Sequence, residues 1–208
     1  MPARTQITLE LPLPAARWIG TDEAGYGPNL GPLAISVTVW DLPAPAAEFD
    51  LYAALASAVD RESDRGGTRL HIADSKQVYS PSRGVASLET SALALLAQTG
   101  PIPRSFPELV ARLTGEPLAN AEGEPWLREG AIPLPVAAAL PEIERLAEEL
   151  RTACLSAGVR IAALHSDMVE TRDSTANAQR PAAREWSCRA RRSISWSGTG
   201  PQTASRLS

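Results

Sequence analysis

The order of hydrophobic patterns along the chain predicts an α/β domain, with strands and helices interleaved along the sequence. Three observations carry that expectation. An apolar run from Arg17 to Thr21 ends on two acids and a glycine-rich turn. A period-two segment follows at Leu33, Ile35, Val37 and Val39. Later segments repeat their leucines at helical spacing before a last alternation through Val159, Ile161, Ala163 and His165. A chain of 208 residues, 44% hydrophobic and 21% charged, can bury one sizeable core.

Gln6 to Leu13 alternates weakly. Arg17 to Thr21 reads as a strand, and Leu33 to Trp40 as a second, because its apolar residues alternate with Ala34, Ser36, Thr38 and Trp40. The glycine and proline residues between them make a hairpin-like unit. Ala46 to Val59 carries Leu51, Leu55 and Val59 at spacing four and reads as a helix, ended by a polar loop from Arg61 to Thr68 that contains Gly66-Gly67. Leu70 and Ile72 deliver Asp74-Ser75-Lys76 to an element end. Ser80-Pro81 then has the form of an N-cap and first helical residue, with Val85, Leu88, Ala92, Leu95 and Leu96 as the buried face. Lys76 is thereby placed in the turn before a helix. Gly100 to Leu140 is rich in proline and weakly periodic, an insertion with a short helix near Phe106 to Leu113. Pro141 opens a further helix with Ile143, Leu146, Leu150 and Cys154 on one face, and Gly158 is placed to end it.

The charge divides unevenly. Residues 1–170 hold 22 acids and 13 basic residues, a net of −9, whereas residues 171–208 hold 2 acids and 7 arginines, a net of +5. The first part is the expected domain. The second has no apolar period, seven serines and two tryptophans, and reads as an irregular tail, disordered or translated from the wrong frame. An acidic body argues against nucleic-acid binding through a broad positive field. No run of about eighteen apolar residues and no signal-peptide pattern is present, so the expectation is a soluble, cytoplasmic protein with no membrane partner, working as a monomer. Cys154 and Cys188 form neither a disulfide framework nor a metal motif.

The chemistry concentrates at Asp22-Glu23-Ala24-Gly25-Tyr26-Gly27-Pro28. A bare Asp-Glu pair is usually solvated. Successive strand residues point to opposite faces, so these two carboxylates converge on one ion only where the chain bends. Gly25 and Gly27 permit a bend, and their backbone N–H groups can approach a phosphate or sugar. At about 4 Å, two carboxylates repel by roughly 4 kcal/mol at an effective dielectric of about 20, which a divalent cation offsets. Oxygen ligands favour Mg²⁺ or Mn²⁺. Lys76 is the chain's only lysine.

The string Asp-Glu-Ala-Gly-x-Gly-Pro, with Gly31-Pro32 and a small-residue apolar strand after it, closely resembles the first strand and loop of ribonuclease HII, the type 2 ribonuclease H family. Asp74-Ser75-Lys76 before Ser80-Pro81 resembles that family's second signature. The resemblance implies a ribonuclease H-like α/β fold, a mixed sheet with flanking helices whose carboxylates hold two divalent metals, and cleavage of the RNA strand of RNA–DNA hybrids, or at a ribonucleotide embedded in DNA. Carried over, Asp22 and Glu23 are metal ligands, Gly25, Tyr26 and Gly27 sense the ribose 2′-hydroxyl, and Ser75 and Lys76 bind substrate, with Lys76 at the phosphate backbone.

The chain also departs from the family. Tyr26 stands where the family usually has arginine, the insertion is long, and no tyrosine follows Tyr79. Two further aspartates are required. Asp167 is the candidate third ligand, and Asp173 a weaker one. A rival alignment makes Val159 to Asp167 a middle strand that precedes the third catalytic aspartate, which is then missing. The resemblance thus implies a metal-dependent endoribonuclease with a C-terminal part that is lost or misread, weak or inactive in this form. The alternative is a non-catalytic relative that keeps the fold and binds nucleic acid or another partner.

Overall fold

The computed structural model describes residues 14–24, 33–62, 67–79, 81–82, 84–115 and 132–169. The expectations for Gln6 to Leu13, Gly25, Tyr26, Gly27, Ser80, Asp173, Cys188 and the tail lie outside these residues. The chain divides into the units Met1–Met168 and Val169–Ser208, and the description concerns the first.

β1 (Ala16–Ala24) and β2 (Leu33–Leu42) form an antiparallel pair whose register runs unbroken from Ala16 opposite Leu42 to Ala24 opposite Ala34. β2 is the central strand, with β5 (Arg160–Val169) on its other side. Residues directly opposite one another share a face. Ala16, Trp40 and Leu42 all join the core, so the even-numbered residues of β1 and β2 lie on the helix-facing side of the sheet. The odd-numbered residues, among them Arg17 and Asp41, lie on the other.

Asp41 ties the sheet together at one end. Its carboxylate is 4% exposed, accepts Arg17 Nε at 2.7 Å, and also pairs with Arg160 at the start of β5. One buried acid on the central strand thus holds a cation from each flanking strand.

Between the sheet strands the chain departs from the expected helix at Ala46 to Val59. It makes a single 3-10 turn at Ala46–Glu48 and then the one-turn helix α1 (Leu51–Ala54), whose start is capped by Asp50 accepting the Ala53 N–H at 3.0 Å. Val59 and Asp60 leave the turn as β3 (Val59–Asp60), parallel to β4 (Leu70–His71). Leu55 and Val59 are nevertheless buried. The spacing marks which residues enter the core, but the capping Asp50 and the pairing of Val59 with Leu70 interrupt the helix.

Asp74 takes the N-cap role itself, accepting the Lys76 N–H at 2.9 Å and opening α2 (Ser75–Val78). Lys76 therefore stands within a one-turn helix, not in the turn before one. α3 (Ala86–Leu96) begins later than Ser80-Pro81 implies and buries Ser91, Leu93, Ala94 and Leu96, while Val85 and Ala92 are exposed. This helix is apolar around most of its circumference, so the sequence offers several stripes, and packing against α5 (Leu140–Ala157) and β4 selects among them.

α4 (Phe106–Thr114) starts at Ser105, whose hydroxyl accepts the Glu108 N–H at 3.4 Å, and ends at Gly115 in the left-handed conformation. α5 (Leu140–Ala157) buries Ile143, Leu146, Leu150 and Cys154 as the spacing requires, together with Ala147 and Ala153. Gly158, at φ 66°, closes it. Burial raises the Cys154 thiol to about 11. Among the described residues no helix is long and apolar enough to cross a membrane.

Candidate functional site

β1 carries Asp22 and Glu23 to the C-terminal end of an edge strand. Its register stays regular through both, with Asp22 opposite Ser36 and Glu23 opposite Ile35. The bend that would let the carboxylates converge is absent between them. Asp22 consequently lies on the helix-facing side and Glu23 on the other. Both are exposed, and Asp22 Oδ1 accepts the Glu23 backbone N–H at 2.9 Å. That bond occupies one carboxylate oxygen with a local contact.

β5 adds the third expected ligand in a different place. The Ser36 and Ser166 hydroxyls are 2.7 Å apart, and Leu164 and Ser166 line a cavity together with residues of α3 and α4. Ser166 is therefore on the helix-facing side with Ser36 and Asp22. Asp167, its neighbour along the strand, points to the opposite side. It shares a face with Glu23, yet the two stand on the outer strands with β2 between them, roughly 10 Å apart across two interstrand spacings.

Asp22, Glu23 and Asp167 are thus not brought together. Among the described residues no group of three or more His, Cys, Asp or Glu is placed to hold a metal ion. A two-metal centre needs carboxylates that share ions about 3.5 to 4 Å apart, and these three do not fit it as placed.

Ser75 and Lys76 are exposed on α2, and no hydrogen bond or ion pair among the described residues joins them to β1. Gly25, Tyr26 and Gly27 lie outside the described residues.

Two polar side chains missed in the sequence are prominent. Asp41 is one. The other is Glu89 on α3, whose carboxylate accepts three consecutive backbone N–H groups, from Val136 at 2.5 Å, Ala137 at 2.7 Å and Ala138 at 2.8 Å. Burial works to raise its pKa, but these donors hold it below the ordinary value. The end of the proline-rich segment is fastened to α3 in this way. Glu89 also borders the cavity of about 320 Å³ between the sheet, α3 and α4, half of whose lining residues are leucine. A signal for both was present: Glu89 is the only charged residue of α3, and Asp41 the only one of β2.

No protein-family model, curated protein or solved structure matches this chain.

Proposed function

We propose that the chain is a metal-dependent endoribonuclease of the ribonuclease HII kind, acting on RNA–DNA hybrids or at ribonucleotides embedded in DNA, and weak or inactive in this form because its described carboxylates do not complete a hydrolytic centre. The supporting observation is the position of Asp22-Glu23 at the end of β1, with Asp74-Ser75-Lys76 at a helix start. The two motifs retain the family's order. Against turnover stands the opposed direction of Asp22 and Glu23 and the distance of Asp167.

Asp22 remains the residue on which any cleavage depends, with Mg²⁺ or Mn²⁺ as the cation that its oxygen chemistry suits. The second reading, a non-catalytic relative that binds nucleic acid, is favoured by the same opposed carboxylates. Incubating the 208-residue chain with a labelled RNA–DNA hybrid, and with duplex DNA carrying one ribonucleotide, separates the two. Binding without cleavage supports the second reading. Weak cleavage lost in Asp22→Ala supports the first. Neither binding nor cleavage removes both.

A further inference from the structure

The outer edge of β1 has no strand partner among the described residues, and its side chains are open, with Ile19 64% and Trp18 40% exposed. An unprotected strand edge is a template for another strand. The Glu23 N–H is taken by its own neighbour's carboxylate and so is not part of the β2 ladder. Backbone groups alternate in direction along a strand, so Arg17, Ile19, Thr21 and Glu23 present theirs outward.

We propose that this edge pairs with the same edge of a second copy of the chain, antiparallel and centred on Gly20. Outward-facing residues must oppose outward-facing residues, which restricts the two-fold centre to a residue of β1, not a peptide bond between residues. Centred on Ile19, the pairing sets Arg17 against the partner's Thr21. Centred on Thr21, it sets Glu23 against the partner's Ile19. Only the Gly20 centre pairs charges, with Arg17 opposite the partner's Glu23 and, by symmetry, Glu23 opposite the partner's Arg17. Both lie on the side of the sheet away from the helices. Glu23 has no ion-pair partner among the described residues, and Arg17 uses Nε on Asp41, which leaves its terminal nitrogens for a second carboxylate.

The remaining positions agree. Ile19 meets the partner's Thr21, Trp18 meets the partner's Asp22, and the two Gly20 residues face each other without side chains at the axis. The contact is isologous and closes on itself, joining two three-stranded sheets into one. It differs from the monomer expected from the sequence and does not depend on the nuclease reading.

Sedimentation velocity of the full chain, from micromolar to submillimolar loading, tests the pairing. A monomer–dimer equilibrium is expected. Glu23→Lys places like charges opposite each other and weakens it by roughly tenfold. Thr21→Pro removes an outward N–H without touching the β2 ladder and abolishes it. Circular dichroism of both variants, unchanged from the parent, establishes that they fold. A chain monomeric at every loading overturns the proposal, as does a dimer indifferent to Glu23→Lys. Slow hydrogen exchange at Ile19 and Thr21 in a monomer also overturns it, because the edge is then covered by the chain itself.

Discussion

Ser36 and Ser166 meet at 2.7 Å across the join between the central strand and β5, on the side of the sheet that faces the helices. Asp22 is directly opposite Ser36 on the other flank, so this row runs carboxylate, hydroxyl, hydroxyl. The residue after Ser166 is turned away from it. Asp167 is therefore excluded from Asp22 by strand parity, whatever its nearness in projection.

A first expectation concerns that parity. Asp167→Ala removes a half-buried carboxylate that makes no ion pair among the described residues. It should change unfolding free energy by no more than about 0.5 kcal/mol in urea titration. Any cleavage by the chain should be equally insensitive to it.

Asp41 gives a pH dependence. Burial raises its carboxyl pKa, but the hydrogen bonds and charges of Arg17 and Arg160 outweigh that and hold it below the ordinary carboxylate range. The unfolded chain then binds the proton more readily. The stability from this group is present above the unfolded pKa of about 3.9 and is lost as pH falls through the lowered folded value. Asp41→Asn should cost about 2 kcal/mol near neutral pH, less than a fully buried pair because both arginines reach solvent. Its acid limb should be correspondingly flatter in thermal unfolding.

Glu89→Gln tests the fastening of the segment before α5. The variant keeps the volume but loses the charge that three N–H groups share. Hydrogen exchange at Val136, Ala137 and Ala138 should accelerate by about tenfold, with a global loss near 1 kcal/mol. Unchanged exchange at those amides would show that the segment is held by other contacts.

Gly100 and Gly84 make a matched pair. Gly100 has φ 155°, and a Cβ there would sit 3.1 Å from Arg112 Nη2, whose guanidinium caps the end of α3 through Leu96 O and Thr99 Oγ1. Gly84, at φ 66°, has nothing within 4 Å. Gly84→Ala should cost about 1 kcal/mol from backbone strain alone. Gly100→Ala should cost about 2–3 kcal/mol, since the cap must also move.

Much of the local structure is legible in the sequence. Pro141, the three- and four-residue spacing of Ile143, Leu146, Leu150 and Cys154, and Gly158 specify α5 almost to the residue, because propensity, capping and burial agree there. At Ala46 to Val59 the spacing identified Leu55 and Val59 as core, but not the strand pairing that ends the helix. α3 misled for the opposite reason: it is apolar on nearly every side.

The site was legible in its motifs and not in its assembly. Whether Asp22 and Glu23 converge depends on where a bend falls, and two glycines allow a bend without requiring one at that position. β1 stays regular through Ala24. The place of Asp167 depends on which strand β5 joins, a long-range pairing that no local pattern encodes. Asp41 and Glu89 were isolated acids in apolar segments, and partners as far away as Arg160 and Ala138 made them structural.

The most direct measurement is the initial rate of cleavage of an RNA–DNA hybrid by the full 208-residue chain with Mg²⁺ or Mn²⁺, alongside Asp22→Ala. With Asp22 and Glu23 on opposite faces and Asp167 across the sheet, little or no turnover is expected, and any residual rate should be lost in Asp22→Ala. Robust turnover abolished by Asp22→Ala would contradict this, because it would mean that the chain completes a hydrolytic centre around Asp22 after all.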